Sequence, residues 1–240
     1  MIRIQWFVIG AFFFLAASCR SKDTLFEKIS SSRSGITFNN RIVESDSINP
    51  LNVVNIYNGG GIGIGDFNSD GLQDIYFTGN MVASRLYLNK GDFEFEDVTG
   101  KAGVDGMGRW ARGVAIVDIN NDSLPDIYIC NTIYKDSLRR RNILYINQGN
   151  NAQGIPQFKD MAAEYGLDIH VQSTMAAFFD YDNDGDLDMY LTVNEAANGL
   201  AGTETALAAL PGGSTNVFAR TIGLPNDPIE ATGALLDGLA

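Results

Sequence analysis

Apolar and polar positions along this chain fall into a pattern that recurs. Three stretches align with one another: GGIGIGDFNSDGLQDIYFTGN from Gly60, RGVAIVDINNDSLPDIYICNT from Arg112 and TMAAFFDYDNDGDLDMYLTVN from Thr174. Each opens on an apolar run, crosses an acidic turn and leaves through alternating β-branched and aromatic residues, the signature of strand, loop and strand. The first aspartates of the turns, Asp66, Asp118 and Asp180, lie 52 and 62 residues apart.

Two more elements recur between the turns. Arg85-Leu86-Tyr87-Leu88-Asn89-Lys90-Gly91 matches Ile143-Leu144-Tyr145-Ile146-Asn147-Gln148-Gly149, a third strand ending in a turn. Phe95-Glu96-Asp97-Val98 matches Phe158-Lys159-Asp160-Met161, a short fourth strand, and each is followed by a Gly-apolar pair, Gly103-Val104 and Gly166-Leu167. Four short strands in a unit of this length predict the blade of a β-propeller. A β-sandwich would not require four matching elements in a fixed order. The fold class expected is therefore all-β, a partial propeller of four-stranded blades. The longer second unit carries polar insertions, TIYKDSLRRR and NNAQGIP, which belong in loops. Phe26-Glu27-Lys28-Ile29 with Gly35-Ile36 resembles only the fourth strand of a unit and is expected to be a closing strand.

The turns carry the chemistry. Numbered from the first Asp, they place oxygen donors at positions 1, 3, 5 and 9: Asp66, Asn68, Asp70 and Asp74; Asp118, Asn120, Asp122 and Asp126; Asp180, Asp182, Asp184 and Asp188. The carbonyls at position 7, of Leu72, Leu124 and Asp186, are a further expected ligand. Hard oxygen donors in this number suit Ca²⁺, whereas Zn²⁺ would call for His or Cys, and the one histidine, His170, lies outside the turns. An EF-hand would need a bidentate Glu at position 12, where this chain has Phe77, Ile129 and Leu191. Up to three calcium sites are expected. Position 6 requires a sharp turn with positive φ, supplied by Gly71 and Gly185 but by Ser123 in the second turn, which is expected to be the weakest.

Composition narrows the partners. A net charge of −12 speaks against nucleic acid, whose binders carry a basic stripe. Arg3 followed by the apolar run Ile4 to Ala17 and the small residues before Cys19 resembles a bacterial lipoprotein signal, with residues 1–19 removed or modified and Cys19 lipidated. That implies export to the cell envelope, as an outer-membrane lipoprotein facing the periplasm or the surface, held by its lipid. Residues 20–58 would then be a tether plus the closing strand. Cys130, the remaining thiol, sits in an apolar strand and is expected to be buried and inert.

The pattern D-x-[DN]-x-D-[GS]-x-x-D between paired strands resembles the FG-GAP/VCBS repeat of integrin-α-type seven-bladed propellers. The D-I-Y after the turn, the L-Y-[LI]-N strand and the F-x-D-[VM] strand are similar to bacterial lipoprotein relatives of cartilage acidic protein, which often carry an ASPIC/UnbV domain. The resemblance spans about residues 25–194, with the repeats proper at 59–194. It implies calcium in the hairpin loops and a role in binding or adhesion toward a protein or polysaccharide ligand. It also implies a ring of seven blades, of which this chain holds about two and a half. Two other readings stand beside it: an enzyme, lyase or hydrolase, with a channel site near Arg109, Trp110, Arg112 and His170, or a scaffold without ligand. No nucleophile-base pair recurs with those residues, so no catalytic role is assigned to them. After Asn194 the pattern stops, and residues 195–240 are expected to be a foreign or disordered tail, the product of truncation or misjoining.

Overall fold

The computed structural model describes residues 25–53, 56–106 and 108–193. Cys19, the apolar run before it and the segment 195–240 lie outside the described residues. Two four-stranded antiparallel sheets and one hairpin follow each other along the chain. Sheet one is β1 (Ile62–Gly65), β2 (Asp74–Phe77), β3 (Arg85–Asn89) and β4 (Phe95–Asp97), paired in that order. Sheet two is β5 (Ala111–Val117), β6 (Asp126–Asn131), β7 (Ile143–Asn150) and β8 (Pro156–Asp160), again in sequence order. β9 (Ser173–Phe179) pairs with β10 (Asp188–Val193) as the hairpin of a third unit. Each sheet is one predicted blade, and the fold is all-β with short helical turns α1 (Ser31–Ser34), α2 (Thr99–Ala102) and α3 (Ser137–Arg140).

The blades stand face to face because their strands alternate. Tyr76, Leu86 and Leu88 of sheet one meet Val114, Ile127, Ile129 and Ile143 of sheet two in one buried core. The opposite face of sheet two, Tyr128, Cys130, Leu144 and Ile146, meets Ala176, Phe178, Met189 and Leu191 of the third unit. β6 is consequently buried at every residue, with odd and even side chains serving different interfaces. Cys130 is buried in the second interface, which pushes its thiol up to about 12 and keeps it a thiol at neutral pH.

Glycine brings the innermost strands close together. A Cβ on Gly63 would lie 2.6 Å from the Ile116 side chain, and one on Gly113 would lie 2.4 Å from the Thr174 carbonyl oxygen. A side chain at either position would push neighbouring blades apart at their inner edge.

The N-terminal segment departs from expectation in one respect. Among the described residues, 26–29 form no strand, and Phe26 is exposed. The remainder of the predicted equivalence is present. Gly35 ends α1 in the left-handed conformation as Gly103 ends α2, with φ of 72° and 76°. Beyond it, Phe38 stacks on Phe77 at 5.0 Å, the Thr37 N–H donates to the Tyr87 hydroxyl, and Asn40 and Asn80 exchange two hydrogen bonds. This segment covers part of the sheet-one face that looks away from sheet two.

Candidate metal centre

The three acidic turns join β1 to β2, β5 to β6 and β9 to β10, so all lie at corresponding ends of their units. Their backbone is set by two left-handed residues in each. At position 6 the φ values are 86° at Gly71, 68° at Ser123 and 95° at Gly185, as the turn requires. At position 4, Ser69, Asn121 and Asn183 are also left-handed, at 57°, 56° and 59°. Asn is among the side chains that tolerate this region, but no rule of spacing marks the position. Removing the Cβ strain with Ser123→Gly should stabilise the second turn by up to about 1 kcal/mol, less the added freedom of the unfolded chain. Chemical denaturation of the two forms measures it.

Side chains at positions 1, 3 and 5 wrap the turn around themselves. In the first turn Asp66 accepts from the Asp70 and Gly71 amides at 3.1 and 2.8 Å, and Asp70 accepts from the Leu72 amide at 2.9 Å. The Asn68 carboxamide accepts from the Asp70 amide and donates to the Asp70 carboxylate. The second turn repeats every one of these bonds with Asp118, Asn120, Asp122, Ser123 and Leu124. The third keeps the same frame through Gly185 to Asp180, Asp184 to Asp182 and Asp186 to Asp184.

Position 9 has a second role that spacing does not reveal. Asp74 is fully buried; one oxygen accepts from the Phe67 amide at 2.9 Å and the other from the Asn89 amide of β3 at 2.8 Å. Asp126 does the same with Ile119 and Asn147 of β7, at 3.1 and 2.8 Å. Each carboxylate therefore ties its turn to the third strand of its own blade. Burial pushes both carboxyl groups up to about 6 against the pull of these amides, and the aspartates at positions 5 and 1 push the same way. Asp188 keeps the bond from the position-2 amide, Tyr181, at 2.9 Å.

The third turn is where acidic groups converge. Asp180, Asp182 and Asp188 each bring one oxygen to within 4.8 Å of the others, and Oδ1 of Asp180 is buried without a hydrogen-bond partner. In the first two turns an amide replaces the carboxylate at position 3, and among the described residues the threefold carboxylate cluster occurs in the third turn. Three mutually repelling carboxylates, one of which has a buried oxygen without a hydrogen-bond partner, fit a hard divalent cation. The position-7 residues Leu72, Leu124 and Asp186 follow the left-handed position in each turn.

The residues weighed for a channel site differ in their surroundings. Trp110 is fully buried with an edge-to-face contact to Tyr134, and its indole N–H is unpaired among the described residues. Arg112 reaches the Gly59 carbonyl, and burial lowers its guanidinium pKa. Burial does the same to Arg109, reinforced by the charge of Arg141. His170 stands 3.5 Å from Asp168. In the basic insertion Arg139 stacks on Tyr134, Arg140 donates to backbone carbonyls, and Arg141 pairs with Asp160. The structure does not gather these groups around one point.

Comparison with known proteins gives two family matches. Residues 66–129 match the family model for the FG-GAP-like repeat, and residues 192–240 match that for the diacylglycerol kinase catalytic domain. The chain is 30% identical over 139 residues to cartilage acidic protein 1 of Xenopus tropicalis and, over the same length, to that of Homo sapiens. Each alignment takes in 57% of this chain and 20% of the relative. The mouse protein is 30% identical over 133 residues, 55% of this chain. The alignment with these curated relatives thus spans about a fifth of their length.

Proposed function

We propose that this chain, whose repeated units are FG-GAP-like repeats, is an exported calcium-binding propeller module, anchored at Cys19 and used for binding or adhesion to a protein or glycan. The convergence of Asp180, Asp182 and Asp188, with a buried, unpartnered Oδ1 on Asp180 itself, carries the metal part of this reading. Asp66, Asn68 and Asp70, and Asp118, Asn120 and Asp122, would hold the ion in the other two loops, with position-9 carboxylates anchoring the loops from behind. With an extracellular-type Kd of about 10⁻⁴–10⁻³ M and millimolar calcium, each site would add roughly 0.4–1.4 kcal/mol. The ion shapes the loops, while the apolar faces fold the blades.

Thermal unfolding of the full chain in millimolar calcium should lie a few degrees above that in EDTA, given about 2–4 °C per kcal/mol for a chain of this size. Asp180→Ala should remove part of that increment. Equal midpoints with and without calcium would reject the metal reading. Anchoring is tested separately by palmitate labelling, which Cys19→Ala should abolish.

A second reading concerns the tail. The repeat pattern ends at Asn194, while the diacylglycerol kinase match begins at residue 192. We infer that residues after about 193 come from an unrelated coding segment joined to the repeats. Sequencing the genomic template across codons 185–200 should show the two halves at separate loci. One uninterrupted template read would overturn it.

A further inference from the structure

The backbone of the first turn is held partly by the following blade. The Phe67 carbonyl, at position 2, accepts from the Asn147 carboxamide at 2.9 Å, and the Asn68 carbonyl, at position 3, accepts from the Asn150 carboxamide at 2.8 Å. Both donors come from β7 of sheet two. Asn147 is buried, and its carboxamide is oriented by its own blade: Oδ1 accepts from the Gly149 amide at 3.0 Å, which leaves the NH₂ group facing the first turn. The backbone N–H of the same residue donates to Asp126 of the second turn. Asn89, the counterpart in sheet one, donates to the Gln73 carbonyl at 3.0 Å, as Asn147 also donates, at 3.4 Å, to the equivalent Pro125 carbonyl of its own turn; the bond to Phe67 is what Asn147 adds.

We propose that Asn147 and Asn150 are positioning residues for the metal loop of the preceding blade, so that calcium affinity at the first turn depends on a residue of the second blade. The proposal rests on the reading that these turns hold calcium. The peptide carbonyls at positions 2 and 3 belong to the same stretch of backbone that carries the side chain of Asn68. Holding the two carbonyls fixes the Cα atom between them, that of Asn68, and with it the direction in which its side chain projects. A loop fixed before the ion arrives loses less conformational freedom on binding. Through Asn147 the first turn is also tied to Asp126, so the first two turns are linked.

The test is a calcium titration of the full chain followed by amide NMR at position 6 of each turn, Gly71, Ser123 and Gly185. In Asn147→Ala the Gly71 midpoint should rise by about fivefold, the effect of losing roughly one buried hydrogen bond, while the Gly185 midpoint moves less than about twofold. In Asn150→Ala, an exposed site that folding tolerates, the Gly71 midpoint should rise by about twofold or more, which reads the same latch if Asn147→Ala fails to fold. An unchanged Gly71 midpoint, or an equal rise at all three amides, would overturn the positioning role. Absence of any calcium response in the native chain would instead remove the calcium reading, and this proposal with it.

Discussion

Asp126→Leu should destabilise the calcium-free protein by about 1–3 kcal/mol or more, because it strands the buried Asn147 amide and also frees the part-buried Ile119 amide. Those amides belong to Ile119 in the second turn and Asn147 in β7. Leucine fills a similar volume but accepts no hydrogen bond, so the cost is one of polar satisfaction and not of a cavity. Asp122→Ala, at an exposed position of the same turn, should cost less than about 1 kcal/mol in EDTA, since water can replace its carboxylate. Urea denaturation in EDTA compares the two. Equal costs would mean that position 9 does not staple the blade.

The same burial makes the calcium-free protein sensitive to pH in a direction unusual for aspartate. Asp74 and Asp126 have folded-state pKa values of about 6, raised from an ordinary 3.8, so the folded chain holds these protons more tightly than the unfolded chain. Their contribution is therefore greatest below about pH 4 and is lost as the pH rises through 6. A two-unit shift corresponds to roughly 3 kcal/mol per group. In EDTA, unfolding midpoints followed from pH 4 to 7 should show this loss, and Asp74→Asn with Asp126→Asn should flatten it. Calcium, by favouring the ionised carboxylates, should flatten it as well. A stability that rises through this window in EDTA, with no difference in the double variant, would contradict the assigned burial.

Repetition made most of the architecture legible. The alignment of Gly60, Arg112 and Thr174 onward placed both strands of every hairpin, and the L-Y-[LI]-N and F-x-D-[VM] stretches placed the two outer strands, because alternation encodes which face is covered. Position 6 was legible too, since the need for positive φ selects glycine and exposes Ser123 as the exception. Position 9 was only half legible. Spacing put Asp74 and Asp126 in the turn, but their second partners, Asn89 and Asn147, come from a strand 15 and 21 residues away and depend on how that strand pairs. Residues 26–29 form no strand among the described residues: a closing strand needs a neighbour, and residue pattern alone does not supply one. Asn147 was visible as a motif residue, whereas its bond to Phe67, 80 residues distant, arises only when two blades stack.

The central claim is that the acidic turns hold calcium, and equilibrium dialysis with ⁴⁵Ca tests it most directly. The full chain should bind calcium saturably at millimolar free ion, and Asp180→Asn with Asp182→Asn should remove about one ion per chain while leaving the rest. No saturable calcium in the native chain, or the same stoichiometry in the double variant, would contradict it.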